Sequence, residues 1–522
     1  MTGIEVRIEP GQVVTVGAGP LAAEDVIAVA RGGAHVNLAA EALDSVRDGR
    51  EIIDALAGDT QPHYGVSTGF GALATRHIPV PLRAQLQASL IRSHAAGSGP
   101  EVEVEVVRAL MLLRLATLAT GRTGVRVETV RAYAAMLNAG IVPVVHEYGS
   151  LGCSGDLAPL AHCALALMGE GVVRDATGVK RAAGEALAEA GLQPVQLREK
   201  EGLALINGTD GMLGMLILAI ADLRALLKVA DITASMSVEG LLGSDAPFAA
   251  DLQALRPHPG QAMAAANMRA LVAGSAIMAS HRGPECTRVQ DAYSLRCAPQ
   301  VDGAARDTVD HAALVASREL ASAIDNPVIT LDGRVESNGN FHGAPLGYVL
   351  DFLAIAVADV ASMSERRTDR FLDVARNQGL TPFLAHDPGV DSGHMIAQYT
   401  QAAIVSDLKR FAVPASVDSI PSSAMQEDHV SMGWSAARKL RRALDGLTTV
   451  LAIELLTAAR GIESRAPLRA APATAGVIAG LRADVHGPGQ DRFMAPEIEH
   501  AVRYVADGGA LRAAETITGA LG

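Results

Sequence analysis

Apolar and charged residues alternate at the start of the chain, as in Ile4-Glu5-Val6-Arg7, a pattern that predicts short strands around Pro10-Gly11 over about the first 20 residues. From Leu21 onward the apolar spacing shifts to three and four, and helix takes over. Val104 to Ala119 is continuously helix-compatible. Leu440, Leu444, Leu447, Leu451 and Leu455 mark one helix face ahead of Gly461, which reads as its C-cap, and another long helix is predicted from Pro345 to about Ser364. Long helices without coiled-coil charge patterning predict a mainly α protein: an elongated helical bundle with small β elements near the N-terminus, its flanks covered by other subunits.

Five polar, Gly-rich segments interrupt the helices and are the candidate site loops: Tyr64 to Gly71, Gly149 to His162, Gln290 to Gln300, Asn338 to Gly343 and Ser422 to Ser431. A boundary is expected near residue 200, where Arg198-Glu199-Lys200-Glu201 breaks the apolar pattern. It divides the chain into residues 1–200, an N-terminal domain, and 201–522, the helical body.

Composition narrows the function classes. The 522 residues are 49% hydrophobic, 3% aromatic and 19% charged, the profile of a globular protein built on small aliphatic side chains. A net charge of −13 argues against nucleic-acid binding, which needs a surplus of Lys and Arg on one face. The N-terminus lacks a signal-peptide apolar core, and the longest apolar run, Gly211 to Ala221, is too short for a membrane span of about 20 residues, so a cytoplasmic protein is expected. The four cysteines, Cys153, Cys163, Cys286 and Cys297, lack zinc spacing, and all but Cys153 read as ordinary buried residues.

The segment carrying the most chemistry is Gly149-Ser150-Leu151-Gly152-Cys153-Ser154-Gly155-Asp156-Leu157. Gly152 and Gly155 permit a tight turn in which the Gly155 nitrogen approaches the Cys153 carbonyl carbon. Closure of that five-membered ring, with loss of two waters, would leave an exocyclic methylene and make Ser154 an electrophile. A hydrolase nucleophile elbow is excluded because Asp156 stands where Gly is required. No phosphate-binding loop and no H-E-x-x-H zinc motif is present. A helix N-cap leading into Leu157 to Met168 is compatible with the ring.

Six segments, in order, resemble the histidine and phenylalanine/tyrosine ammonia-lyase family: Tyr64 to Gly71, Cys153 to Leu157, Ile206-Asn207-Gly208-Thr209, Gln290 to Arg296, Asn340-Phe341-His342-Gly343 and Gln426 to Ser431. The resemblance implies an ammonia-lyase/fumarase-like helical fold, a homotetramer with shared sites, and a 4-methylidene-imidazol-5-one (MIO) group made from Cys153-Ser154-Gly155 with no external cofactor and no metal. It implies Tyr64 as the base that takes the β-proton, for which a depressed pKa is expected. Arg296 would hold the substrate carboxylate with its planar fork. Asn207, Gln290 and Tyr293 would orient the ring carbonyl and the carboxylate, and Phe341 would pack beside the ring. His94 and Glu427 resemble a histidine-type pair: a carboxylate rewards an imidazole and costs desolvation opposite a phenyl ring, so L-histidine, giving trans-urocanate as the first step of histidine degradation, is the expected substrate.

Three positions depart from the family pattern. Cys153 replaces the commoner Ala, Ser67 stands where Asn is frequent, and Met425 where Asn is frequent too. An aminomutase using the same group is poorly separated by sequence. Metal-dependent hydrolysis is disfavoured because His63, His94, His146 and His162 lack ligand spacing, and an inactive scaffold would be expected to have lost Ser154 or Tyr64.

Overall fold

The structure, a computed structural model, describes residues 11–59, 61–283, 286 and 289–522. The predicted alternation before Gly11 therefore lies outside the described residues. Beyond it, β1 (Val13–Val16) pairs in parallel with β2 (His35–Leu38), Val13 opposite His35 and Val16 opposite Leu38. The partner is thus not a neighbour across Pro10-Gly11. A parallel pair needs a crossover, here the helix Ala23–Gly32, which closes on Gly33 at φ +66°. The remaining strands are short pieces.

Helix dominates, as the periodicity predicts. The body is built from α1 (Val104–Leu118), α2 (Asp210–Gly240), α3 (Ala298–Leu320), α4 (Ala344–Leu372), α5 (Met395–Phe411) and α6 (Gly433–Glu463). The contacts of α6 with α4 and α2 form its centre. Small residues let these helices close: a Cβ on Gly214 of α2 would lie 2.9 Å from that of Ala109 on α1. Gly461 is not a C-cap. The helix continues through it to Glu463, and a Cβ there would meet the Phe371 ring of α4 at 2.4 Å, so the glycine serves packing. Helix α4 likewise runs on past Ser364, because Arg367 finds Glu454 on α6 and Glu365 accepts from Gln398 on α5.

Helix α4 is long and apolar enough by length and composition to cross a membrane. One side of it packs against α6, α3, α5 and α2, and its Asp351 pairs with Lys439. The charged stretch near residue 200 is not a solvated linker: Lys200 and Glu201 are fully buried. Glu201 accepts from the Arg126 backbone and side chain and from Thr129. The N-terminal elements are tied to the bundle by an ionic network in which Arg31 and Arg441 share Glu105 and Asp222.

Candidate active site

The Cys153-Ser154-Gly155 turn is the tightest backbone in the site. Gly152 at φ +87°, Ser154 at +51° and Gly155 at +82° are all left-handed, and the Gly155 N–H reaches back to the Gly152 carbonyl at 3.3 Å. A Cβ on Gly155 would fall 2.0 Å from the Gly208 carbonyl oxygen, a backbone atom that cannot move aside, so only glycine fits. Two backbone hydrogen bonds clamp the turn to that neighbour: Gly208 N–H to Ser154 O at 3.2 Å, and Asp156 N–H to Gly208 O at 2.8 Å. The folded-back turn at Cys153–Gly155 is therefore held by the chain itself.

Asp156 locks this turn to the bundle. Fully buried, its carboxylate accepts from Gly211 N–H at 3.0 Å and Met212 N–H at 2.9 Å, amides of the first turn of α2, and from the Ser150 hydroxyl at 3.0 Å. A carboxylate at a helix N-terminus satisfies donors that have no intrahelical partner. Burial nevertheless pushes its carboxyl up to about 7, with Asp210 adding to the effect and the three donors opposing it.

Tyr64, His94, Ser154, Asn207 and Glu427 line one cavity of about 590 Å³. Tyr64 enters on the turn after His63, and its hydroxyl accepts from Gly71 N–H at 3.3 Å. Its pKa is raised, not depressed as expected: burial dominates, Glu427 and Asp325 add to it, and only the Gly71 donor works the other way. His94 ends the helix Arg83–His94, with Nδ1 3.0 Å from the Ser93 hydroxyl. Burial holds its imidazole below the ordinary range, against Leu90 and Glu427. Glu427 accepts from the Ser422 hydroxyl at 2.9 Å, and the same hydroxyl lies 3.5 Å from the Cys153 sulfur. Asn207 donates to the Leu203 and Asn326 carbonyls at 3.2 and 3.1 Å.

Gln290, Tyr293 and Arg296 are not brought to this cavity within the chain. Their segment is anchored by Asp291, which accepts from Ser244 just past the C-terminal end of α2, whereas Ser154 sits at its N-terminal end. A helix of 31 residues is roughly 45 Å long, so the two sets are separated by about the length of the bundle. There Tyr293 is 70% exposed, and the Arg296 guanidinium stacks on its ring at 4.6 Å. Arg296 has no ion-pair partner among the described residues, and its Nε has no hydrogen bond. Phe341 is half-buried and does not line the cavity, but its loop is close: Cβ atoms on Gly343 and Gly152 would both approach Ser431 Oγ, at 3.0 and 2.8 Å.

The departures acquire physical meaning. Ser67 is fully buried, and its hydroxyl accepts from His63 N–H at 2.9 Å, closing the turn that presents Tyr64. Met425 has φ +68° and follows Ser423 and Ala424, also left-handed, in a region where Asn is better tolerated than Met.

Other supporting residues escaped the sequence reading. Arg114, fully buried on α1, donates to the Asn207 and Ile324 carbonyls and so fixes the strand-like segment beneath Ser154. Lys200 and Asp325 form a buried ion pair beside Gly65. Signals for these existed only as charged residues inside apolar runs. His146 and His162 are ring neighbours at 5.8 Å despite their spacing in sequence.

The sequence profile of the aromatic amino acid lyase family matches residues 21–483. The chain is 65% identical over 509 residues to the histidine ammonia-lyase of Streptomyces avermitilis, covering 97% of this chain and 99% of that one. Among solved structures it resembles a tyrosine aminomutase from Streptomyces globisporus, with a TM-score of 0.91 at 38% identity over 97% of this chain and 99% of the other. It also resembles the histidine ammonia-lyase of Trypanosoma cruzi, with a TM-score of 0.88 at 36% identity over 97% and 96%. This chain belongs to the aromatic amino acid lyase family.

Proposed function

We propose that this protein is a cytoplasmic histidine ammonia-lyase that eliminates ammonia from L-histidine to give trans-urocanate. The observation that carries the reading is the joint lining of one cavity by Ser154, Tyr64, His94 and Glu427. Support for the substrate comes from the histidine ammonia-lyase relatives at 63–65% identity over nearly the whole chain.

The glycine-restricted turn fits an MIO group formed from Cys153, Ser154 and Gly155, which would supply an electrophilic methylene to the substrate amine. Around it, the protein's own groups have separable tasks. Glu427 accepts a hydrogen bond from the imidazole or pairs with its charged form, and His94 makes a second polar contact at that end. Tyr64 removes the β-proton through its phenolate oxygen. Burial raises the phenol's pKa in the single chain, so a cation brought close to it would favour the phenolate. Arg296 of another subunit is the natural supplier, since its guanidinium has no ion-pair partner among the described residues and lies over the exposed Tyr293 ring. There it would also hold the substrate carboxylate.

On this reading the functional unit is a homotetramer with shared sites. Residues 1–200 contribute the Cys-Ser-Gly turn, and residues 201–522 the bundle that carries Gln290, Tyr293, Arg296 and Phe341. The exposed apolar side chains Tyr348, Phe352 and Ile355 of α4 and Ile396 and Tyr399 of α5 would be covered by neighbouring copies.

The test is incubation with L-histidine, followed by the ultraviolet absorbance of the conjugated acid and by release of ammonia. Conjugated product with stoichiometric ammonia supports the proposal. A β-amino acid formed without net ammonia release would assign an aminomutase instead.

A further inference from the structure

Away from this site, where the C-terminal part of the chain folds back on α6, three arginines converge on the loop His486 to Gly489. Arg482 Nη1 and Arg492 Nη2 both donate to the His486 carbonyl, at 3.0 and 2.8 Å, so their guanidiniums meet at a single oxygen. Arg460, on α6, donates to the Gly489 carbonyl at 2.9 Å. All three line a small cavity with His394, whose Nδ1 lies 3.0 Å from Thr457 Oγ1.

The carboxylates nearby are unevenly shared. Glu463 takes Arg482 through two hydrogen bonds, and Glu497 takes Arg492 through two. Asp391 and Asp491 act on Arg460 from a distance, but their oxygens are committed to backbone donors: Asp391 to Asp387 and Asp491 N–H, Asp491 to Ser392 and Gly393 N–H. Arg460 is only 6% exposed, yet it has no carboxylate within ion-pair reach among the described residues. A buried cation whose counter-charges act only from a distance is costly, and native folds pair such groups directly. The imidazole registers the imbalance: after burial, Arg460, Arg482 and Arg492 hold His394 down to about 3, so it remains neutral and adds no compensating charge.

We infer that this cavity is a binding site for a small monovalent anion of the chloride class, held by Arg460 with Arg482 and Arg492. Size sets the class. The cavity has room for about 10 Å³, close to one water-sized occupant. Glu497 in its lining also disfavours a multiply charged oxyanion. The anion supplies the direct ion-pair partner that Arg460 lacks among the described residues and ties the 486–489 loop to α6.

The assembled enzyme is tested by thermal unfolding in sodium chloride against sodium gluconate at equal ionic strength, which separates a site-bound anion from general screening. A ligand that binds only the folded state raises Tm with concentration according to its occupancy. The expected result is a higher Tm in chloride than in gluconate, with the increment absent in Arg460→Met. Crystals of the unaltered protein grown in sodium bromide provide a second readout: an anomalous peak beside the Arg460 guanidinium. Equal Tm values in the two salts, an undiminished increment in Arg460→Met, or no bromide peak in this cavity would each overturn the inference.

Discussion

Replacing Asp156 by Ala tests whether the active-site turn depends on the N-terminus of α2. The substitution removes the acceptor for two buried amides, Gly211 and Met212 N–H, and for the Ser150 hydroxyl. A buried donor left without a partner costs about 1–3 kcal/mol, so the two amides alone predict a loss of about 2–6 kcal/mol. The protein carries its own probe, because Trp434 is its one tryptophan, is 2% exposed, and packs where a Cβ on Gly211 would come within 2.5 Å of the ring. Urea unfolding followed by Trp434 fluorescence should therefore report a lower midpoint for Asp156→Ala. The pH dependence has a definite sign. The folded pKa is raised from 3.8 to about 7, so the folded state holds the proton more tightly. The stability that Asp156 contributes is then fully present below about 4 and lost as pH rises through about 7. The gap between wild type and Asp156→Ala should be wider at pH 5 than at pH 8. A variant within about 0.5 kcal/mol of wild type at both values, the range of ordinary surface changes, would refute the argument. So would a gap that widens with rising pH.

Further expectations bear on the chemistry. Intact-mass analysis should show a deficit of two water molecules on the peptide containing Cys153 to Gly155; Ser154→Ala should lack it and lose nearly all turnover, and an unmodified Ser154 in fully active enzyme would end the MIO proposal. Tyr64→Phe should lower turnover by about 10²–10⁴-fold with substrate affinity roughly kept, and a variant that retained wild-type turnover would point to another base. Glu427→Gln and His94→Leu should each reduce the histidine-to-phenylalanine ratio of specificity constants, and a ratio unmoved by both would remove the histidine assignment. Co-assembly of Tyr64→Phe subunits with Arg296→Ala subunits should restore activity that neither variant has alone; no recovery in verified mixed oligomers would contradict shared sites.

What was legible in the sequence is what local geometry dictates. Leu440 to Leu455 mark a helix face because 3.6-residue periodicity is a property of the segment alone, and α6 contains them all. Gly155 was legible because a left-handed turn tolerates glycine best. Gly461 misled for the complementary reason. A glycine near a helix end reads locally as a cap, whereas its cause is the Phe371 ring from another helix. Lys200 and Asp325 are 125 residues apart, and a single sequence holds no record of such a pairing. The same holds for Arg114, whose charge in an apolar helix becomes intelligible only with the Asn207 and Ile324 carbonyls in place.

The Gln290 to Arg296 segment draws a sharper distinction between identity and place. Its residue types resemble the family's substrate-carboxylate segment, yet the chain sets it about one bundle length from Ser154. Left exposed, that end of the molecule keeps a guanidinium with no ion-pair partner among the described residues and a tyrosine 70% in solvent. At the other end, a cavity of about 590 Å³ holds Glu427 and a phenol whose pKa is raised by burial, with Glu427 and Asp325 adding to it, and Arg76 stands in the same wall. An antiparallel neighbour that brought Arg296 to Tyr64 would relieve both at once, giving each arginine a carboxylate to hold and each tyrosine a cation to favour its phenolate. In the proposed assembly, Arg296 and the exposed apolar side chains of α4 and α5 would find partners in the same step.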